Sequence, residues 1–507
     1  MYPISRRRFL TQAGIVIGTV VFTSNARTFS SSDSLQSRLA SDPLRPQFHL
    51  LPAANWMNDP NGPIFYRGRY HMFFQHNPNG AFWGSMHWAH ASSPDMIHWR
   101  HEPIALAPSP NGYDRDGVFS GSAVLDGNTP TVIYTGVLPP ASPSEITLDD
   151  AQHKWREVQC LATSSDPNLR TWQKLPEPIL AKPPDIAITG FRDPCVWREG
   201  KDWLLALGSG IKGKGGMVLL YQSSDLRHWT YLHPLMEGTG TGKPAPNPVA
   251  NGEMWECPDF FPLGDRHVLL YATMGKVQWK TGRYQDRRFA AEKDGVVDFG
   301  SYYAAKTMLD AHGNRILWGW IPETRPEAEH RAAGWAGLMS LPRTLVIGKD
   351  GGLEMSLAPA VEALRGEHTR VETIDRAGKE KALRAVRIRD LAADIQAELA
   401  LRGGFLLRLR SENREPFAEI AYQPEQRGEE LRVNTIKAPW TDEGPLSLRL
   451  TLDGSSLEVL VNRKTAITAR IYTVPNAPLM VEVSNLDALR TLDVWRIKPI
   501  SPDRLTT

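Results

Sequence analysis

Ser223-Ser224-Asp225-Leu226-Arg227-His228-Trp229 is a stretch that the chain writes more than once. Ser92-Ser93-Pro94-Asp95-Met96-Ile97-His98-Trp99 comes earlier, and Ser164-Ser165-Asp166-Pro167-Asn168-Leu169-Arg170-Thr171-Trp172 lies between them. A Ser-Ser-Asp turn, an apolar residue and a tryptophan, returning roughly every 55 to 75 residues, mark a radially repeated sheet. Each unit ends a strand with the same turn and lodges its tryptophan against a neighbour, so these indoles read as packing.

Outward from the repeat, the apolar runs between about residues 48 and 345 are all of strand length. Residues 122–125, 131–135, 203–207, 267–271 and 315–320 are examples, bounded by Gly, Pro, Asn and Asp. Sustained 3.6-residue periodicity is nearly absent, which argues an all-β chain. The spacing predicts a five-bladed β-propeller over 46–346, an architecture that leaves only short, protected edges. Composition then shifts. Residues 347–366 read as a linker with a short helix, and 367–501 as a C-terminal β-sandwich without helices, with Asp453-Gly454 as a hairpin turn.

The amino terminus reads as an address. Ser5-Arg6-Arg7-Arg8-Phe9-Leu10 precedes an apolar run, Ile15 to Phe22, that is short for a bilayer span, and Ser24-Asn25-Ala26 offers small residues for cleavage. Residues 1–26 therefore resemble a twin-arginine signal peptide, and the expected partner of the precursor is the twin-arginine export machinery. The mature protein is expected to be periplasmic or extracellular, with no membrane segment. Residues 27–45, rich in serine, are expected to form a disordered lead-in.

Among 507 residues the formal net charge is +2, which gives no field for nucleic acid. Cys160, Cys195 and Cys257 are odd in number and widely spaced, so they suggest neither a disulfide framework nor a zinc site. The histidines between His71 and His101 fit no zinc spacing either. No metal and no cofactor is expected.

Three stretches carry chemistry. Trp56-Met57-Asn58-Asp59-Pro60-Asn61-Gly62 sets a carboxylate at a Pro/Gly turn before a hairpin; Phe191-Arg192-Asp193-Pro194 pairs an acid with an arginine; Trp255-Glu256-Cys257-Pro258-Asp259 offers two acids. Each alone reads equally well as a turn acid. In a propeller, however, strands from different blades converge on one central funnel, where acids distant in sequence meet. Three acids with aromatic neighbours suit glycoside hydrolysis, which needs an ionised carboxylate on one face of the sugar and a protonated one near the leaving oxygen.

These three stretches, in this order, resemble the acidic motifs of glycoside hydrolase family 32, the β-fructosidases (invertases, levanases and inulinases). Phe82-Trp83-Gly84, His87-Trp88-Ala89-His90-Ala91, Phe119-Ser120-Gly121-Ser122-Ala123, Gly334-Trp335-Ala336-Gly337 and Ser455-Ser456-Leu457-Glu458-Val459 extend the resemblance over nearly everything after about Phe48. It implies that Asp59 is the nucleophile, Glu256 the acid/base and Asp193 the transition-state stabiliser of a retaining reaction. The nucleophile and acid/base would then lie about 5 to 5.5 Å apart. It further implies that Asn58, Gln75, Trp83, Ser120 and Arg192 line a fructosyl pocket, with Phe119 and Trp335 as apolar walls near the leaving group. The partner is then a small carbohydrate or fructan (levan, inulin or sucrose). A fructosyltransferase on the same scaffold and an inactive fructan-binding propeller are the alternatives. A sucrose-6-phosphate hydrolase is disfavoured, because such enzymes work inside the cell.

Overall fold

The computed structural model describes residues 34–507 apart from 151–152, 373–374, 401–403, 414, 424–429 and 441–443. The export signal expected at 1–26 lies outside the described residues. Five antiparallel sheets follow one another along the chain and form a β-propeller. Their inner strands are Asn55–Tyr66, Gly117–Asp126, Arg192–Glu199, Glu256–Leu263 and Tyr303–Leu309. Each packs beside the next, and the fifth returns to the first.

The repeated turn joins the third and fourth strands of the first three blades. Asp95, Asp166 and Asp225 each accept backbone N–H groups two to four residues on, at 2.8 to 3.0 Å. The apolar residue that follows, Met96, Leu169 or Leu226, has a left-handed φ of 70°, 56° or 63°. That twist turns Trp99, Trp172 and Trp229 into the apolar clusters of the blades, so the indoles do pack.

Ring closure uses a stretch after the fifth blade's second strand. Trp335–Ala336 pairs in parallel with Asn55–Tyr66 of the first blade, while Leu338–Met339 pairs with Arg315–Ile321 of the fifth. Gly337 between them has φ 77°, and a Cβ there would lie 2.0 Å from the Met57 carbonyl oxygen. Only glycine lets the two end blades approach so closely.

Three boundaries differ from expectation. The presumed linker 347–366 begins with Leu353–Leu357, the outer strand of the fifth blade, and ends at Arg365, the first residue of the sandwich strand Arg365–Val371. The chain passes from one domain to the other through the short 3₁₀ segment Pro359–Leu364. The lead-in is partly ordered: Leu35–Ser41 is a helix, Leu39 is buried, and the wholly buried Arg45 donates to the Pro52 and Ala53 carbonyls. The C-terminal Arg504 donates to the Ala40 and Asp42 carbonyls, so a long-range clasp holds a segment whose local composition has no preference for order.

The third difference lies in the sandwich, a six-stranded and a five-stranded sheet around one apolar core. It was expected to lack helices but contains Arg376–Ala385, capped by Asp375, whose carboxylate accepts the Gly378 N–H at 2.8 Å. The helix buries little beyond Leu383 and Lys379, so its apolar stripe is faint in the sequence. Phe48, Leu460, Ala466 and Ile497 share an apolar cluster with Leu270, Leu317 and Leu345 and join the sandwich to the fourth and fifth blades.

Candidate active site

Every inner strand of the propeller is interrupted at the same place. The antiparallel register shifts between Met57 and Pro60, Val118 and Gly121, Arg192 and Cys195, Glu256 and Asp259, and Tyr303 and Lys306. Such bulges bend a strand and re-aim its side chains, here towards the common axis. The bulged residues Asp193, Cys257 and Ala304 all have left-handed φ, at 67°, 48° and 51°. Ala304 carries no chemistry, so the unusual backbone, shared by the third to fifth blades, does not depend on a functional side chain, and two of these blades place functional groups on it.

This pattern makes Asp59 and Ser120 equivalent residues of adjacent blades, and they touch: Ser120 Oγ donates to Asp59 Oδ2 at 2.7 Å. Asn58 Nδ2 donates to the other oxygen at 3.1 Å, and Trp56 Nε1 fixes Asn58 Oδ1 at 2.7 Å. Arg192, Glu256 and Tyr303, which directly precede their bulges, are likewise equivalent and interact. Arg192 Nη2 donates to Glu256 Oε1 at 2.9 Å, and Tyr303 OH donates to Glu256 Oε2 at 2.7 Å. Arg192 Nη1 also holds Glu157 at 2.9 Å. The Cys257 N–H donates to Asp193 Oδ2 at 2.9 Å, and its thiol lies 3.5 Å from that oxygen and 3.4 Å from Asp59 Oδ2. Asp59, Asp193 and Glu256 are therefore one cluster.

Electrostatics follow from this crowding. Burial pushes the Asp193 carboxyl up to about 7; Arg192 opposes the shift, while the charges of Glu256 and Asp59 add to it. Burial also raises Asp59, against its bonds from Ser120 and Asn58 and with help from Glu256. Burial and the adjacent Glu256 drive the Tyr303 hydroxyl well above its ordinary range, so it stays a donor. Such a set holds on to a proton near neutrality and titrates jointly.

The remaining expected residues divide. Trp83 is 40% exposed and lies edge-on to Phe119 at 6.1 Å, so both flank the cluster. Gln75 is buried and donates to the Val118 carbonyl, which places it beneath the site as a brace between two blades. Trp335 is corrected: it has 0% exposure, donates to Asp42 and packs against Arg325 at 4.8 Å, so it is part of the ring closure and not an open wall. Arg192 forms its ion pairs with Glu256 and Glu157 and acts on its sequence neighbour Asp193 only through space. Asp259 accepts the Thr307 N–H across blades at 2.7 Å instead of capping a turn. His71 and His90, 3.0 Å apart, are buried in the first blade.

Sequence reasoning missed Tyr303, Glu157 and Thr135, whose Oγ1 accepts the Asp193 N–H at 2.9 Å. Tyr303 had a signal. Contacts between adjacent blades join residues 61, 64 and 47 positions apart, so one more blade step beyond Glu256 reaches it. Glu157 and Thr135 lie on the third and second strands of the second blade and had none.

Residues 49–359 match the glycosyl hydrolases family 32 N-terminal domain, and residues 360–496 match the family 32 C-terminal domain. The chain is 36% identical to a sucrose-6-phosphate hydrolase of Escherichia coli, covering 85% of this chain and 90% of that one. It is 37% identical to a raffinose invertase of Escherichia coli, covering 84% and 89%. Among solved structures, a β-fructofuranosidase of Bombyx mori superposes with a TM-score of 0.74 at 27% identity, covering 92% of this chain and 98% of that one.

Proposed function

Since the chain belongs to glycoside hydrolase family 32 and is a glycosidase, we propose that it releases fructose from sucrose-type β-fructosides with retention, through a covalent fructosyl-enzyme. The observation that carries this reading is the single cluster in which the Cys257 thiol reaches both Asp59 and Asp193, while Glu256 is gripped by Arg192 and Tyr303.

Asp59 attacks the anomeric carbon. Ser120 and Asn58, one on each carboxylate oxygen, fix the direction of attack. Glu256 delivers a proton to the leaving oxygen and then takes one from the water that releases fructose. Asp193 stabilises the oxocarbenium-like transition state through sugar hydroxyls, and Arg192 and Tyr303 keep Glu256 from swinging away. Export by the twin-arginine route is part of the proposal and rests on Arg6, Arg7, Phe9 and Leu10.

The test is sugar release from sucrose, raffinose, levan and inulin by purified protein, with Asp59→Asn and Glu256→Gln alongside. Fructose released by the wild type and lost in both variants supports the reading; activity that survives both overturns it. For export, Arg6→Lys with Arg7→Lys should hold the protein in the cytoplasm. Unchanged fractionation would remove that part.

A further inference from the structure

The strand Lys154–Thr163, third in the second blade, presents one face by alternation: Trp155, Glu157 and Gln159. Gln159 Oε1 accepts from Thr135 Oγ1 at 2.8 Å, beneath Asp193. Glu157, two residues outward, pairs with Arg192 and through it reaches Glu256. Trp155 is the next step towards the rim. Its ring lies 5.7 Å from Phe119 and 6.1 Å from Trp83, and His153 stacks on it at 4.2 Å and 29°. Phe119 adjoins Ser120, whose hydroxyl holds Asp59, so the aromatic surface starts beside the proposed nucleophile and runs outward.

This surface is built rather than incidental. The Thr147 N–H donates to the Trp155 carbonyl at 3.0 Å, and Leu148 pairs with Trp155 in a short hairpin. The His153 N–H donates to Asp150 Oδ1 at 2.7 Å, which sets the imidazole against the indole. Trp83 is the only exposed tryptophan among the described residues, while Trp155 and His153 are half-buried. Unlike the half-buried Trp172 and Trp229, which belong to apolar clusters of the blades, Trp83 and Trp155 contact only the ring group of Phe119 and His153 among the described aromatic contacts. Left partly open at the rim of a polar funnel, they offer the flat apolar faces with polar edges on which a sugar's C–H face settles.

We propose that Trp155, backed by His153 and continued by Trp83, is a specificity-determining stacking subsite for the second sugar ring of the leaving group. The inference rests on the β-fructosidase reading and adds to it a preference for fructosides that leave as a disaccharide over those that leave as a monosaccharide.

The experiment compares kcat/KM for raffinose, whose leaving group is a disaccharide, with kcat/KM for sucrose, whose leaving group is glucose. Trp155→Ala should lower the raffinose-to-sucrose ratio about tenfold, and Trp155→Phe, which keeps a ring, by less than about threefold. His153→Ala, which leaves the indole in place but unsupported, should fall between them and serves if Trp155→Ala does not fold. A ratio that stays at the wild-type value in the alanine variants, whatever their absolute rates, overturns the subsite. A wild type that cleaves only levan or inulin overturns the disaccharide preference alone, and one that releases fructose from none of the four substrates overturns the β-fructosidase reading and the inference with it.

Discussion

At the boundary between propeller and sandwich, Asp298, Asp453 and Glu458 face Arg343 and His49; in the funnel, Asp59, Asp193, Glu157 and Glu256 face Arg192. Each acid of the boundary set accepts at least three hydrogen bonds. Asp453 accepts the Gln47, Phe48 and His49 N–H groups and His49 Nδ1, and Glu458 accepts from Leu341 N, His49 Nε2 and Arg343. Asp298 accepts from Gly300, Thr468 and Arg343. The funnel set is left short: among the described residues neither Asp59 nor Asp193 has an ion pair, and a fifth of Glu256 stays open to solvent. Buried acids with full complements hold domains together, whereas acids packed against one another keep protons and reactivity.

The sharpest way to break this contrast is to remove one acid from each set. Asp59→Asn should lower kcat by about 10⁴-fold or more while leaving the melting temperature unchanged or higher, because a repelling charge is gone. A clear fall in melting temperature would make Asp59 a structural acid like the others. Arg343→Met should do the reverse. Stripping the cation from Asp298 and Glu458 should cost about 3 to 5 kcal/mol in chemical denaturation, with kcat of the folded protein retained. An unaltered denaturation midpoint would show that the boundary set is not neutralised as described.

Acidity separates the two sets more finely. A group that binds its proton more tightly when folded gives stability at low pH and loses it as pH rises through its folded value. For Asp193 that loss runs from about 4 to about 7. For His49, burial opposes the charge, but Asp453 and Glu458 outweigh it and lift the imidazolium to about 9, so the loss runs from 6.5 to about 9. Denaturation across pH should lose its lower slope in Asp193→Asn and its upper slope in His49→Gln; a single shared window would refute the separation. The smallest effect is expected from Tyr303→Phe, about a tenfold fall in kcat with little change in KM, since only one of the two grips on Glu256 is removed. A change confined to KM would place Tyr303 against the substrate instead.

The sequence made the repeat, the blades and the three acids legible because each depends on local signals: an Asx turn, alternating strands, a proline after an acid. It hid what only closure of the ring creates. Trp335 sits in a motif shared with a sugar-handling family and was expected to be a wall, yet pairing of the last blade with the first encloses it. Leu353–Leu357 follows a glycine-rich turn and reads as linker, since nothing local says that a fifth blade still lacks its outer strand. Glu157 and Thr135 serve the funnel from the third and second strands of their blade, where sequence periodicity marks only an ordinary buried face. Glu458, in the motif of the sandwich, proves to be half of a domain clasp.

The five equivalent bulges have a consequence for how such a protein can change. In the third to fifth blades the position just before the bulge holds Arg192, Glu256 and Tyr303 and the first position within it holds Asp193, Cys257 and Ala304, while the first two blades aim Asp59 and Ser120 from the second position within theirs. In the last three blades the left-handed backbone of the bulge is kept whether Asp193, Cys257 or Ala304 occupies it. A substitution there alters what faces the substrate without asking the sheet to refold. The centre of the propeller is in that sense a socket with interchangeable pins, and its chemistry is free to drift while its architecture stands still.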